Sequence, residues 1–577
     1  MTKYSIEAME GIGAQWSAAL EQVGAAMTTA ARAPLRTGGS QPYDPLALFR
    51  TMSEFAAGFR PEQLLQVQLD AAREWGRFWA DAWSPKPPAE KLRDRRFAHA
   101  EWEEQPYFRT IRDAYLLASK QLRGVVQAAE GKGSNAAMMG FLVDQYLNAI
   151  APTNFAMTNP EVVERTLATG GANLAAGFAN LIEDVAAGKG IVKRRTESDF
   201  VVGETLATTP GSVVFENHLF QLIQYDPTTP DVSIEPLLYV PPLVNKFYMI
   251  DLQSRSSLVK WLVEQGRTVF VISWVNPDER HRHCGVEQYV LDGIVAAIGA
   301  VRDRTGGAKV DLFSFCLGGT LVAIALAWLT AERRADEVNT ATLIGSMVDF
   351  ADMRDWSAFV HEAHLDALED HLGKRGFIDS TELQQLFAAV RSNDLIWSSV
   401  VNHYLLDKPA PASDLLHWFE DGARIPQAFL QSYNRGLLAA NALTGAKFTV
   451  GGVAIDLATV TTPLTVIALK DDHVSAWEAV YDGTRLFGGA VSYILGGSGH
   501  NAGVINPPAA NKHGYWTNAV RAASGAAWLD GATRHEGSWW PAWNAWLIEH
   551  GSGTVKARAP ENPIEPAPGR YVKITHA

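Results

Sequence analysis

The sequence predicts an α/β fold built on a mostly parallel sheet, with a helical insertion late in the sheet and a mainly helical region before it. Three observations carry this. Short β-branched segments alternate with helical runs from about Phe200 onward, the pattern of buried parallel strands joined by helices. One strand, KVDLFSF, runs straight into Cys316, a Gly-Gly pair and an Ala/Leu-rich helix. Acidic and histidine residues then follow two later strands, in the order that completes a nucleophile–acid–histidine set.

Taken along the chain, residues 1–195 read as helical and Ala-rich. Pro34–Pro45, Ser84–Pro88 and Gly131–Ser134 break this region, and helical periodicity predicts helices over Tyr107–Ala128 and Ala136–Ile150. Asn159-Pro160-Glu161 reads as a helix start, because proline is tolerated in a first turn. Trp75, Trp79 and Trp83 fall on one helical face. They are read as packing within the fold, with a docking surface for a partner or an apolar product as the sharper alternative.

Residues 196–577 form the predicted catalytic domain. Its strands are Ser212–Phe215, Glu235–Val240, Thr268–Trp274, Lys309–Phe315, Ala341–Ile344, Leu464–Leu469 and Val491–Leu495. The helix-rich, aromatic stretch 350–447 interrupts the alternation and is read as a cap over the active site. The Pro-rich tail after Gly551 reads as irregular and superficial.

Composition narrows the function classes. The chain has 577 residues, too many for one ordinary core. Its net charge of −13 argues against general nucleic-acid binding. Two cysteines offer no disulfide framework and favour a reducing compartment. No apolar run approaches the roughly 20 residues of a membrane span, and the start lacks the order of a signal peptide. A cytoplasmic enzyme is expected.

The chemistry centres on Cys316. A strand, a sharp turn and a helix present a nucleophile above an α/β-hydrolase sheet, and the turn wants small residues on either side. Ser314 and Gly318 stand there. A free thiol titrates near ~8.5, so an imidazole and the following helix N-terminus are needed to favour the thiolate. Lys470–His473 follows the strand PLTVIAL, and His500 follows VSYIL on a glycine-rich loop, both at the end of a parallel sheet where catalytic groups gather. The acid is Asp471 or Asp472, and His500 is preferred to His473 as base. The backbone N–H of Leu317 is expected to supply half an oxyanion hole, with Leu243 or Val244 in the loop Val240–Lys246 as the other half. His281, His283 and Cys284 form an H-x-H-C cluster without a second ligand pair nearby, so no metal is expected. The basic runs 93–96 and 193–195 read as solvated faces.

These motifs resemble the polyhydroxyalkanoate (PHA) synthases in their long, single-subunit form, and the short-chain class more than the medium-chain one. The box SerPheCysLeuGlyGly (314–319), the acid segment AspHisValSerAlaTrp (472–477) and the histidine segment Gly496–Pro508 carry the resemblance. ProLeuLeuTyrValProProLeuValAsnLysPheTyr (236–248), IleSerTrpValAsnProAsp (272–278), AsnAspLeuIleTrp (393–397) and AlaProGlyArgTyrValLys (567–573) add to it. It covers roughly residue 95 to the end; the first ~90 residues match nothing strongly, as this family's most variable part would.

The resemblance implies that Cys316 carries the acyl group, Asp472 is the acid and His500 the general base. It implies (R)-3-hydroxyacyl-CoA as substrate, with no cofactor, a growing polyester as product, a homodimer, and association with the polymer granule. Three positions depart from the family pattern: Ser314 replaces the usual glycine of the box, Ser475-Ala476 a common Val-Pro, and Val275 an arginine. A Cys-dependent thioesterase or hydrolase on the same fold is the rival enzyme reading, and a non-catalytic granule-coating protein the rival from another class.

Overall fold

The computed structural model describes residues 61–81, 94–128, 134–186, 200–409 and 413–575. The breaks at Pro34–Pro45 and Ser84–Pro88, Trp83 and the basic run 193–195 lie outside these. The chain forms two compact units.

The first unit takes the described residues of 1–198 together with those of 355–361 and 385–412. Its helices include α1 (Pro61–Asp81), α2 (Pro106–Ala128), α3 (Ser134–Ala149), α4 (Pro160–Thr169) and α5 (Ala172–Ala186). Asn159 caps α4, its side chain accepting from the N–H groups of Glu161 and Val162. Phe97, Trp102, Phe108, Tyr115 and Ala151 form one small core; Phe141, Ala358 and Phe359 form another. Trp75 and Trp79 stack with centroids 6.3 Å apart, and Trp79 is exposed. Arg96 is a structural residue, bonded to Asp94 and lying over Tyr115, which corrects its reading as part of a solvated face.

The second unit is built on an eleven-stranded sheet. In chain order its strands are β1 (Gly211–Glu216), β2 (Phe220–Tyr225), β3 (Leu237–Val240), β4 (Val269–Trp274), β5 (Val310–Phe315), β6 (Val338–Ile344), β7 (Leu464–Leu469), β8 (Val491–Gly496), β9 (Tyr515–Thr517), β10 (Thr533–His535) and β11 (Glu565–Pro566). Their spatial order is β10-β9-β8-β7-β6-β5-β3-β4-β2-β1-β11. The centre, β4 to β8, is parallel; antiparallel strands extend both sides. β3, β5 and β7 are wholly buried, as strands covered on both faces must be. Helix α6 (Leu317–Ala331) follows β5, and α7 (Trp540–Glu549) contributes Trp540, Trp543 and Leu547 to the core. Every strand expected from the sequence is present, within about three residues at its ends, and the α/β-hydrolase class holds.

Three features differ from expectation. The short strands β9 and β10 at one edge were not anticipated. Nor was strand β2, although four of the six residues of FQLIQY are apolar. Its buried glutamines would be costly without partners, and the C-terminal tail supplies them. The N–H groups of Arg570 and Tyr571 both donate to Gln221 Oε1 at 3.0 Å, and Gln224 donates to the Arg558 carbonyl. The tail is therefore not irregular: Thr554–Lys556 pairs with Asp231–Ser233, and β11 pairs with β1.

Candidate active site

The turn between β5 and α6 holds Cys316 at φ 53°, ψ −127°, a left-handed conformation that a side chain adopts only where its surroundings enforce it. The Cys316 N–H donates to the Ile344 carbonyl at 2.8 Å, and the Gly319 N–H returns to the Cys316 carbonyl at 2.9 Å. A Cβ on Gly318 would lie 2.4 Å from the Val240 carbonyl oxygen, so only glycine lets the β3 loop come this close. Ser314, two residues before the cysteine, is fully buried and its hydroxyl donates to the Thr342 carbonyl.

The two later loops converge on this turn. Asp472 follows β7 and is buried. Its Oδ1 accepts from the Val474 and Ser475 N–H groups at 2.7 and 2.9 Å, and its Oδ2 lies 2.6 Å from His500 Nδ1. One carboxylate oxygen fixes the loop while the other fixes the imidazole. Cys316 stands close enough to His500 for its charge to act on the imidazole. Asp471 is exposed, and its N–H goes to the Ser498 carbonyl. His473 packs edge-on to His500 with centroids 6.4 Å apart. Of the alternatives, Asp472 and His500 are the pair brought to Cys316. Burial alone would drive the imidazole down. The charges of Asp472 and Cys316 and the hydrogen bond to Asp472 outweigh it, and His500 is pushed up to about 10.

Several neighbours were not foreseen. Phe315 lies beneath His500, centroids 4.6 Å apart. Gly345, at φ 55°, leaves room for the His–Asp pair: a Cβ there would sit 3.4 Å from His500 Cε1 and 3.5 Å from Asp472 Oδ2. Tyr433 stacks on buried Phe429, and its hydroxyl is pushed up by burial and by the Cys316 charge. Proximity in space, not sequence pattern, marks these residues; only the glycine after a buried strand was a readable signal.

Leu317 opens α6, where a helix leaves its first N–H groups without partners. The loop after β3 is tied down by its other atoms. Trp274 Nε1 donates to the Pro241 carbonyl at 3.0 Å, and the Ala423 N–H to the Val244 carbonyl at 3.0 Å. Lys246 and Asp421 form a buried pair at 2.6 Å, joined by the Tyr248 hydroxyl. Leu243 is buried and Val244 half-buried.

The H-x-H-C cluster has a structural use. His281 Nδ1 contacts Asp278 at 3.1 Å and Nε2 the His218 carbonyl at 3.2 Å, while burial pushes the Cys284 thiol up. Among the described residues no group of three or more His, Cys, Asp or Glu could hold a metal ion, and no helix is long and apolar enough to cross a membrane.

Residues 93–262 match the family model described as Poly-beta-hydroxybutyrate polymerase (PhaC) N-terminus, and residues 236–507 match the alpha/beta hydrolase fold. The chain is 40% identical to the poly(3-hydroxyalkanoate) polymerase of Methylorubrum extorquens over 534 residues, covering 89% of this chain and 87% of the relative. It is also 40% identical to a poly(3-hydroxyalkanoate) polymerase subunit of Cupriavidus necator, over 89% of each chain. The corresponding subunit of Rhizobium etli is 40% identical over 85% of this chain and 78% of its own.

Proposed function

The chain belongs to the poly(3-hydroxyalkanoate) polymerase family, and from that premise we propose that it joins (R)-3-hydroxyacyl units from CoA thioesters through a covalent thioester on Cys316. The observation that carries the mechanism is the Asp472 Oδ2–His500 Nδ1 contact at 2.6 Å, with the charge of Cys316 at the strained turn acting on the same imidazole.

The Cys316 thiolate attacks the thioester carbonyl, the bond to the CoA sulfur breaks, and CoA leaves as a thiol with the proton held on His500. The imidazole, now neutral, takes the proton of a 3-hydroxyl group. That oxygen attacks a neighbouring thioester carbonyl, forming the ester link and expelling a thiolate, which the imidazolium can neutralise. Asp472 orients the ring and offsets its charge throughout. Sulfur suits the carrier because transfer between thiols is nearly balanced in energy, and the thioester stays reactive toward an alcohol. The Leu317 N–H with that of Leu243 or Val244 stabilises the tetrahedral oxyanion. Phe429 and Tyr433 help keep water away.

Purified protein incubated with (R)-3-hydroxybutyryl-CoA is expected to release CoA and form polyester. CoA release with only free hydroxy acid would instead indicate the thioesterase reading. Cys316→Ala is expected to lose acylation entirely, and Cys316→Ser to keep at most a trace; wild-type turnover in the alanine variant would refute the assignment. Short-chain monomers are the preferred class, tested by product composition from mixed four-carbon and six- to ten-carbon substrates. The enzyme is further proposed to work in the cytoplasm as a homodimer on the polymer granule, which sedimentation and granule fractionation test.

A further inference from the structure

The loop that carries His500 is strained at its entrance and pinned at its exit. Ser498 has φ 74°, a conformation that a non-glycine residue keeps only when its neighbours over-determine it. Beyond His500 the chain turns tightly: the Gly503 N–H donates to the Gly499 carbonyl at 2.8 Å, and the Val504 N–H to the Asn501 carbonyl at 3.1 Å. The carbonyls at the end of this turn point at two consecutive tryptophans. Trp539 Nε1 donates to the Gly503 oxygen at 2.9 Å, and Trp540 Nε1 to the Val504 oxygen at 3.0 Å. Both indoles are fully buried, so neither N–H has water as an alternative.

Glycines make room for this contact. A Cβ on Gly503 would lie 2.6 Å from Leu469 Cδ2, and one on Gly496 would lie 3.3 Å from Trp539 Cδ1. An indole needed only as core filling could point its N–H elsewhere. Here two adjacent rings aim theirs at successive carbonyls, three and four residues beyond His500.

We infer that Trp539 and Trp540 are positioning residues for His500, holding its loop so that the imidazole stays aligned with both Asp472 and Cys316. This rests on the reading of His500 as the base. The titratable groups facing that imidazole are Asp472, Cys316 and the edge of His473, and Phe315 packs against its ring; the indole bonds fall instead on Gly503 and Val504, so the clamp is a separate constraint. Replacing each tryptophan by phenylalanine keeps most of the ring and removes the donor.

The test follows Cys316 alkylation by iodoacetamide against pH in a Cys284→Ala background, which leaves Cys316 as the one thiol. The wild-type pH profile, with the imidazole in place, is the reference. In Trp539→Phe/Trp540→Phe the pH profile is expected to move toward that of an ordinary thiol, near ~8.5. Polymerisation should fall about 100-fold in kcat, the scale of a 1 Å misplacement, with KM little changed. The single variants, milder for folding, should shift the profile in the same direction. Trp543→Phe is the control: this tryptophan lies on α7 too, but its N–H goes to Thr342 Oγ1 at 2.9 Å, and its profile should match wild type. If His500→Gln moves the profile while the phenylalanine variants keep that of wild type, the inference is overturned. If His500→Gln itself leaves profile and turnover unchanged, the His500 reading falls and the inference with it.

Discussion

The Ser314 hydroxyl donates to the Thr342 carbonyl at 3.0 Å, across the pair β5–β6 two residues before Cys316. The atoms that serine adds where the family usually has glycine are thus part of what holds the turn. Its Oγ would stand only 3.2 Å from a Cβ on Gly319, so the serine fits because position 319 is glycine. Ser314→Gly removes one buried hydrogen bond, worth about 1 kcal/mol, and adds strand entropy of roughly 0.5–1 kcal/mol. The variant is expected to unfold at lower denaturant by about 1–2 kcal/mol while turnover stays within a few-fold. A stability equal to wild type would show that the bond carries no weight.

Gly345→Ala should do the reverse, harming activity more than folding. The residue is left-handed at φ 55°, and the added methyl would press against His500 Cε1 at 3.4 Å. The conformational term costs on the order of 1 kcal/mol. The contact displaces the imidazole by a few tenths of an ångström, enough to lengthen its bond to Asp472 and move it off Cys316. Steady-state assays should show a kcat loss of at least about tenfold with a small change in melting temperature.

Much of this site is legible in the sequence, for physical reasons. A parallel sheet needs long buried β-branched strands and gathers its catalytic loops at one end, so Cys316, Asp472 and His500 each announce themselves just after a strand. The choice between Asp471 and Asp472 was open because adjacent residues point opposite ways and one sequence does not say which way the loop turns. Strand β2 was hidden because Gln221 and Gln224 dilute its apolar signal, and the partners that make their burial affordable lie more than 300 residues away. Phe315, Gly345, Trp539 and Trp540 act through tertiary contacts alone. Of the eighteen tryptophans, at least three on or beside α7 use their N–H groups inside the core.

The His500 imidazole gives stability a definite pH dependence. Its folded value, about 10, lies above the ~6.5 of an unfolded chain. Between those values the native state binds more protons than the unfolded one, so stability falls as pH rises. The contribution is complete below about pH 6.5 and gone once pH passes through about 10. Asp472→Asn removes the principal charge that raises the imidazole. Urea unfolding of wild type and Asp472→Asn from pH 6 to 10.5 should show a gap that is largest near pH 6 and closes toward pH 10. A gap that widens with pH would contradict a charged His500 in the resting site.

The helical unit depends on chain that arrives from far away in sequence. A Cβ on Gly177 in α5 would lie 1.9 Å from the Tyr404 carbonyl oxygen, so α5 and residues 400–405 meet backbone to backbone. Around that contact the Tyr404 hydroxyl donates to Asp184 at 3.0 Å, and Asn173 Nδ2 donates to the Leu405 carbonyl at 2.7 Å. No flexible side chain can yield, because the opposing atoms are main chain. Gly177→Ala must push the two segments apart, at a cost of about 1–3 kcal/mol or more, and stretches both of those buried polar bonds. It is expected to lower the thermal transition by several degrees and to speed protease cleavage between residues 385 and 409. A substitution at Gly124, whose Cβ would meet nothing within 4 Å, should leave both measurements at their wild-type values or raise stability slightly, as a glycine in an open helix position does when replaced by alanine.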